Sequence, residues 1–136
     1  MNRPEEILNV VLPFAQQMLE KNREFYPFGA SIKINGEIFT NMGDVGKENP
    51  LSQEIIDFLY KNFSEEAQRN EILTAAICYD TKIGEDKKDA ICIKIEDKDS
   101  QPTALYLPYK KNLFGQFKYG ELIATVSNSI IFPKIK

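Results

Sequence analysis

The chain contains no histidine. Ser-His-Asp and Cys-His catalysis are therefore excluded within it, as are zinc and haem sites that depend on imidazole. Carboxylates, Lys, Tyr and Cys remain as reactive groups, but the commonest general base is missing. Cysteine is scarce: Cys78 and Cys92 stand 14 residues apart, without a CxxC. They offer too few soft ligands for zinc. Both lie in apolar runs, which suits buried, reduced thiols and a reducing compartment. No run approaches ~18 apolar residues, so no membrane-spanning helix is expected. Ile7–Ala15 is interrupted by Asn9 and Pro13 and follows Glu5 and Glu6. A secretory signal needs a basic start and an unbroken apolar segment. The expected location is the cytoplasm. Tryptophan is also absent, which leaves nine Phe and six Tyr to supply aromatic core volume.

An excess of positive charge is lacking as well. The net charge is −3, which does not favour nucleic acid, whose phosphates need neutralising Lys and Arg. The charge is uneven along the chain. Five Lys and one Glu follow Leu107, so residues 108–136 carry +4 and residues 1–107 carry −7. The basic stretch suits a lysine-decorated edge strand, or a local anion patch.

What is present fits one ordinary globular domain over residues 1–136. Asn2, Pro4, Glu5 and Glu6 read as a helix start. Ile7, Val10, Val11, Phe14 and Met18 recur at helical spacing, and Pro13 predicts a kink or break. The helix should end near Lys21–Arg23, with its basic groups at the negative end. Asn35-Gly36 between Ser31–Ile34 and Glu37–Thr40 predicts a hairpin with a type I′ turn. That register sets Ile32 against Phe39 and Ile34 against Glu37. Asn49-Pro50 introduces a second helix with Leu51, Ile55, Phe58, Leu59 and Phe63 on one stripe. Strands follow at Ile72–Tyr79, Asp89–Glu96 and Thr103–Tyr109. Asp80–Lys88 and Asp97–Pro102 read as polar links and Asn112–Lys118 as a connection. Tyr119–Val126 and Ser129–Pro133 form one bent strand or two short ones. The expected fold is α+β: one mostly antiparallel sheet of about 5–6 strands, in the order α-β-β-α-β-β-β(-β). Two helices are expected on one face.

No motif carries chemistry. Gly43-Asp44-Val45-Gly46-Lys47 has two residues between its glycines where a phosphate loop needs four, and Glu48 stands where Ser or Thr is required. Asp80, Glu85, Asp86 and Asp89 crowd one turn, and Glu96, Asp97 and Asp99 another. Neither has calcium-loop spacing, and lysines intersperse them, as in solvated turns. No metal or cofactor is expected. Tyr106, Tyr109, Phe114, Phe117 and Tyr119 form an aromatic group near Lys110 and Lys111. Most of it should be core. Tyr106, Tyr109, Lys110 and Lys111 are the candidate partner surface.

Phe25–Gly29, Ile32–Gly36, Asp89–Glu96, Leu107-Pro108-Tyr109 and Tyr119-Gly120-Glu121 together resemble a family of small, uncharacterised bacterial α+β proteins. The element order is also similar to profilin-like and roadblock-like domains. The resemblance implies a shared fold and no activity, since its motifs are turns, strand starts and packing positions. The leading functional expectation is a binding module without catalysis that holds a protein partner. An immunity-type protein neutralising a toxin is one form of it. The alternative is a small enzyme or small-molecule sensor using carboxylate and Tyr groups in a helix–sheet cleft. A homodimer through an exposed strand edge is a third reading. Neither nucleic acid nor membrane is expected as a partner.

Overall fold

The computed structural model describes residues 1–133. Lys134 and Lys136, counted above in the basic stretch, lie outside them. α1 spans Arg3–Asn22. The Asn2 side chain accepts the Glu5 N–H at 2.9 Å, as an N-cap should. The helix runs through Pro13 without a break and ends where Arg23 turns left-handed (φ 66°). Its buried stripe is Ile7, Val11, Ala15 and Leu19, a strict four-residue repeat. Val10, expected on that stripe, is exposed. α2 spans Ser52–Gln68 and buries Ile55, Leu59 and Phe63. Leu51, expected on the same stripe, precedes the helix and is exposed. No helix among the described residues is long and apolar enough to cross a membrane.

The strands are β1 (Phe28–Lys33), β2 (Ile38–Asn41), β3 (Ile72–Ile83), β4 (Lys88–Asp97), β5 (Thr103–Lys111), β6 (Phe117–Tyr119) and β7 (Ile123–Val126). They form one sheet in the order β2-β1-β3-β4-β5-β6, with β7 also paired to β5. Every pairing is antiparallel. The fold is thus α+β with two helices and a single antiparallel sheet. It has seven strands where 5–6 were expected, because the outer strand is cut in two. β6 and β7 lie end to end along β5. Between the pairs Tyr109–Tyr119 and Tyr106–Ile123, β5 advances three residues and the outer strand four. The extra residue is a β-bulge, a common device at sheet edges. Ser129–Pro133, read as strand from sequence, is an irregular segment.

The helices do not share a face. Successive side chains of a strand point to opposite sides. Ala76 and Cys78 of β3 pack with α1, whereas Ala75 and Ile77 pack with α2. The sheet is therefore sandwiched, and the expectation of both helices on one side is corrected. The physical reason lies in β3 and β4. Ala75-Ala76-Ile77-Cys78 and Ala90-Ile91-Cys92-Ile93 are buried at every position, as in strands covered on both faces. The larger core lies under α1, with Phe28, Ala30, Ile32, Ile91, Ile93, Ile95, Leu105 and Leu107. α2 covers only the β1–β3 side, and Ile131 from the last described segment completes its core.

The first hairpin also differs in register. Ile32 pairs with Ile38, and Ser31 with Phe39. The loop has three residues, Ile34-Asn35-Gly36, closed by Lys33 N–H on the Glu37 carbonyl at 2.8 Å. A type I′ turn needs two positive φ values. Only Gly36 has one (φ 90°). The Asn35 side chain accepts the Glu37 N–H at 3.0 Å, an Asx turn that favours the longer loop. The one-residue slip turns Phe39 to the other face, where it is half exposed beneath the Lys33 ammonium.

Candidate functional site

β5 and β6 form a hairpin whose tip is the most exposed apolar feature of the described chain. Asn112 builds the turn. Its backbone N–H donates to the Gln116 carbonyl at 2.8 Å, and its carbonyl accepts Gly115 N–H at 3.1 Å. Its side-chain oxygen accepts Phe114 N–H and Gln116 N–H, both at 2.9 Å. Gly115 supplies the left-handed residue (φ 79°) that closes a three-residue loop. The tip is thereby fixed by hydrogen bonds, and its side chains are held outward. Leu113 is 101% exposed and Phe114 89%. Loops commonly carry contact residues on a rigid scaffold, and this scaffold is the central sheet.

The flanks of the tip are basic. Lys110 and Lys118 are direct cross-strand partners. Like charges placed opposite each other oppose strand pairing, and no carboxylate among the described residues bonds to either lysine. Alternation places both on the α2-side face of the sheet. Lys88 of β4 lies on that face at the same end, with Asp86 3.5 Å away. These three lysines, with Pro108, Gly120 and the Tyr109 and Tyr119 positions, line a cavity of about 280 Å³. Its chemistry is an apolar floor under ammonium groups, which suits an anionic group attached to an apolar one. Lys111 is exposed on the opposite face.

The four residues singled out from sequence are split by the same alternation. Tyr106 and Lys110 point to the α2 side, Tyr109 and Lys111 to the α1 side. Tyr109 is only 9% exposed and belongs to the core. Its ring packs at 5.8 Å from Phe117 and 6.5 Å from Tyr119. Its hydroxyl donates to Asp80 at 2.8 Å. Burial raises the phenol's pKa, and the Asp80 carboxylate raises it further. Burial also raises the Asp80 carboxyl, against the lowering effect of that hydrogen bond. Tyr106 is half buried in a row Tyr79–Cys92–Tyr106 across three strands. Burial pushes the Cys92 thiol up despite hydrogen bonds with both phenols, so it stays protonated at neutral pH.

Cys78 and Cys92 do lie on neighbouring strands. Cys78 pairs with Ile93, however, and Cys92 with Tyr79. The thiols therefore face opposite sides of the sheet. Two of the crowded acids near Gly84 are tied locally: Asp89 bonds Lys82 at 2.5 Å, and Asp86 faces Lys88. Lys47 of the glycine-rich loop bonds Glu54 at 2.6 Å. Glu96 and Asp97 are buried structural groups. One Glu96 oxygen accepts the backbone N–H groups of Ile130, Ile131 and Phe132 at 2.8, 2.8 and 3.2 Å. Asp97 holds the Arg3 guanidinium through two bonds of 2.7 and 3.0 Å.

Leu113 and Phe114 are not read as surface from sequence, and Lys88 and Lys118, read there as solvated lysines, are not placed at the candidate partner surface. Asn112-Leu113-Phe114-Gly115-Gln116 carries the signal in retrospect. Asn before and Gly within a short link between two alternating runs mark a hairpin tip. No family model matches the chain, and no curated protein or solved structure matches it.

Proposed function

We propose that the chain is a protein-binding module whose contact surface is the β5–β6 hairpin. The observation that carries this reading is the tip itself. A turn fixed by Asn112 displays Leu113 and Phe114 in full contact with water. Holding apolar side chains outward gives the isolated fold no burial and offers a partner a pre-organised anchor. Lys110 and Lys118 beside them select an acidic partner through charge complementarity. The partner therefore has an apolar pocket rimmed by Asp or Glu. A toxin occluded by an immunity-type protein is one form of such a partner. The module works in a bacterial cytoplasm, a reading supported by the two free, buried cysteines and by the resemblance to small bacterial proteins.

The test is affinity purification of the tagged full chain from its native host, with the partner quantified against the chain. Wild type should recover an acidic protein near equimolar ratio. The double variant Leu113→Ser/Phe114→Ser should lose it while melting at the same temperature. Equal recovery by both proteins, or no stoichiometric partner with wild type, would count against the reading.

A further inference from the structure

β7 is the outer edge of the sheet, and all four of its residues are exposed. Val126 is 72% exposed and Ile123 45%, with Leu122 beside them at 42%. Edge strands are normally guarded by Lys, Pro, inward charge or a covering segment. From Leu122 to Ile130 there is no charged residue and no proline.

The backbone direction follows from one bond. Ser127 N–H donates to the Pro102 carbonyl at 3.0 Å. Facing residues of an antiparallel ladder alternate between bonded and non-bonded pairs. Thr125 and Ile123 therefore turn their backbone groups toward β5. Ala124 and Val126 present theirs outward.

We infer that a second copy of this chain pairs here, β7 against β7, antiparallel about a twofold axis normal to the sheet through Ala124. The inference goes beyond the hairpin reading and uses a different surface. Paired side chains must share a face, so odd positions meet odd and even meet even. This register sets Ala124 against Ala124 and Leu122 against Val126. A twofold contact must be compatible with itself. A neutral strand with a small residue on the axis meets that condition, whereas the lysine-flanked hairpin would oppose its own charge. The chain leaves the edge beyond Ser127, because Glu96 holds Ile130–Phe132. Among the described residues, Lys118 of one copy therefore meets no lysine of the other.

The test is sedimentation of the full chain from about 1 to 100 µM, the range in which a modest interface titrates. Wild type should show a concentration-dependent dimer. Ala124→Pro removes an N–H that points outward, so it should be monomeric and melt like the wild type at concentrations too low for the dimer. Val126→Lys installs the missing guard and should weaken the dimer at least about tenfold. Leu113→Ser/Phe114→Ser should remain dimeric, which separates this inference from the hairpin reading. A wild-type monomer at the top of the range would overturn it and leave the edge to a foreign strand. A dimer that survives both β7 substitutions would also overturn it.

Discussion

Asp97→Asn should be among the most damaging single-atom changes in this protein. Asp97 is a buried carboxylate at the end of β4, with 2% of its side chain exposed. It accepts from Arg3 Nε and Nη2 at 2.7 and 3.0 Å, from Thr74 Oγ1 at 2.5 Å and from Asp99 N–H at 2.9 Å. Burial works to raise its pKa, but these donors outweigh burial and hold it at about 2 against an ordinary 3.8. That depression corresponds to about 2 kcal/mol of pH-dependent stability. Arg3 is 31% exposed, so solvent screening reduces the value toward about 1–2 kcal/mol. The amide turns a donor toward the guanidinium and loses the charge. A loss of about 2 kcal/mol lowers the melting temperature by roughly 5–10 °C for a chain of this size.

The sign with pH follows from the lowered pKa. The contribution is complete above the unfolded carboxylate value and fades as pH falls from about 4 toward 2. Urea unfolding of wild type and Asp97→Asn at a series of pH values measures it. The gap between them should be constant near neutrality and close in acid. A gap that is absent at pH 7, or unchanged below pH 3, would refute the reasoning.

Glu96→Ala leaves three backbone donors without their acceptor, so the last described segment should detach. Hydrogen exchange at Ile130–Phe132 should accelerate, with a stability loss of about 1–3 kcal/mol. Gly29→Ala places a Cβ 2.6 Å from the Phe63 ring and 3.0 Å from the Ala76 carbonyl, so α2 must shift, and chemical denaturation should register about 1–3 kcal/mol. Burial raises both thiols. Cys78 and Cys92 should therefore resist a thiol reagent in the folded protein at pH 8 and react only on unfolding. Rapid labelling of either would contradict their placement.

The fold was legible where local chemistry decides it. Asn2 and Pro4 marked the start of α1, and charged turns marked the β3–β4–β5 meander. Side-chain direction was legible only in part. The one-residue slip of the first hairpin depended on Asn35 preferring its own turn. That choice between two loop lengths put Phe39 on the wrong face. The placement of α2 opposite α1 was encoded in the unbroken apolar runs of β3 and β4. Alternation in the outer strands pointed to one covered face and obscured it. At the candidate site, Lys110 and Lys111 were found as exposed cations. Tyr109 was misread as surface because an aromatic beside lysines looks the same whether its ring points in or out. Alternation along β5, read against Leu105 and Leu107, assigns it to the core. The tip is hidden in the sequence because Asn112–Lys118 reads as a connection, although Asn112 and Gly115 define it as a turn.

The most direct test is calorimetric titration of the purified partner with wild type and with Lys110→Glu/Lys118→Glu. Both lysines are exposed, so the fold should be retained. The hairpin account predicts an affinity loss of at least about tenfold, with the wild-type affinity falling as salt is raised. An unchanged affinity in the doubly reversed variant would place the contact elsewhere and contradict the account.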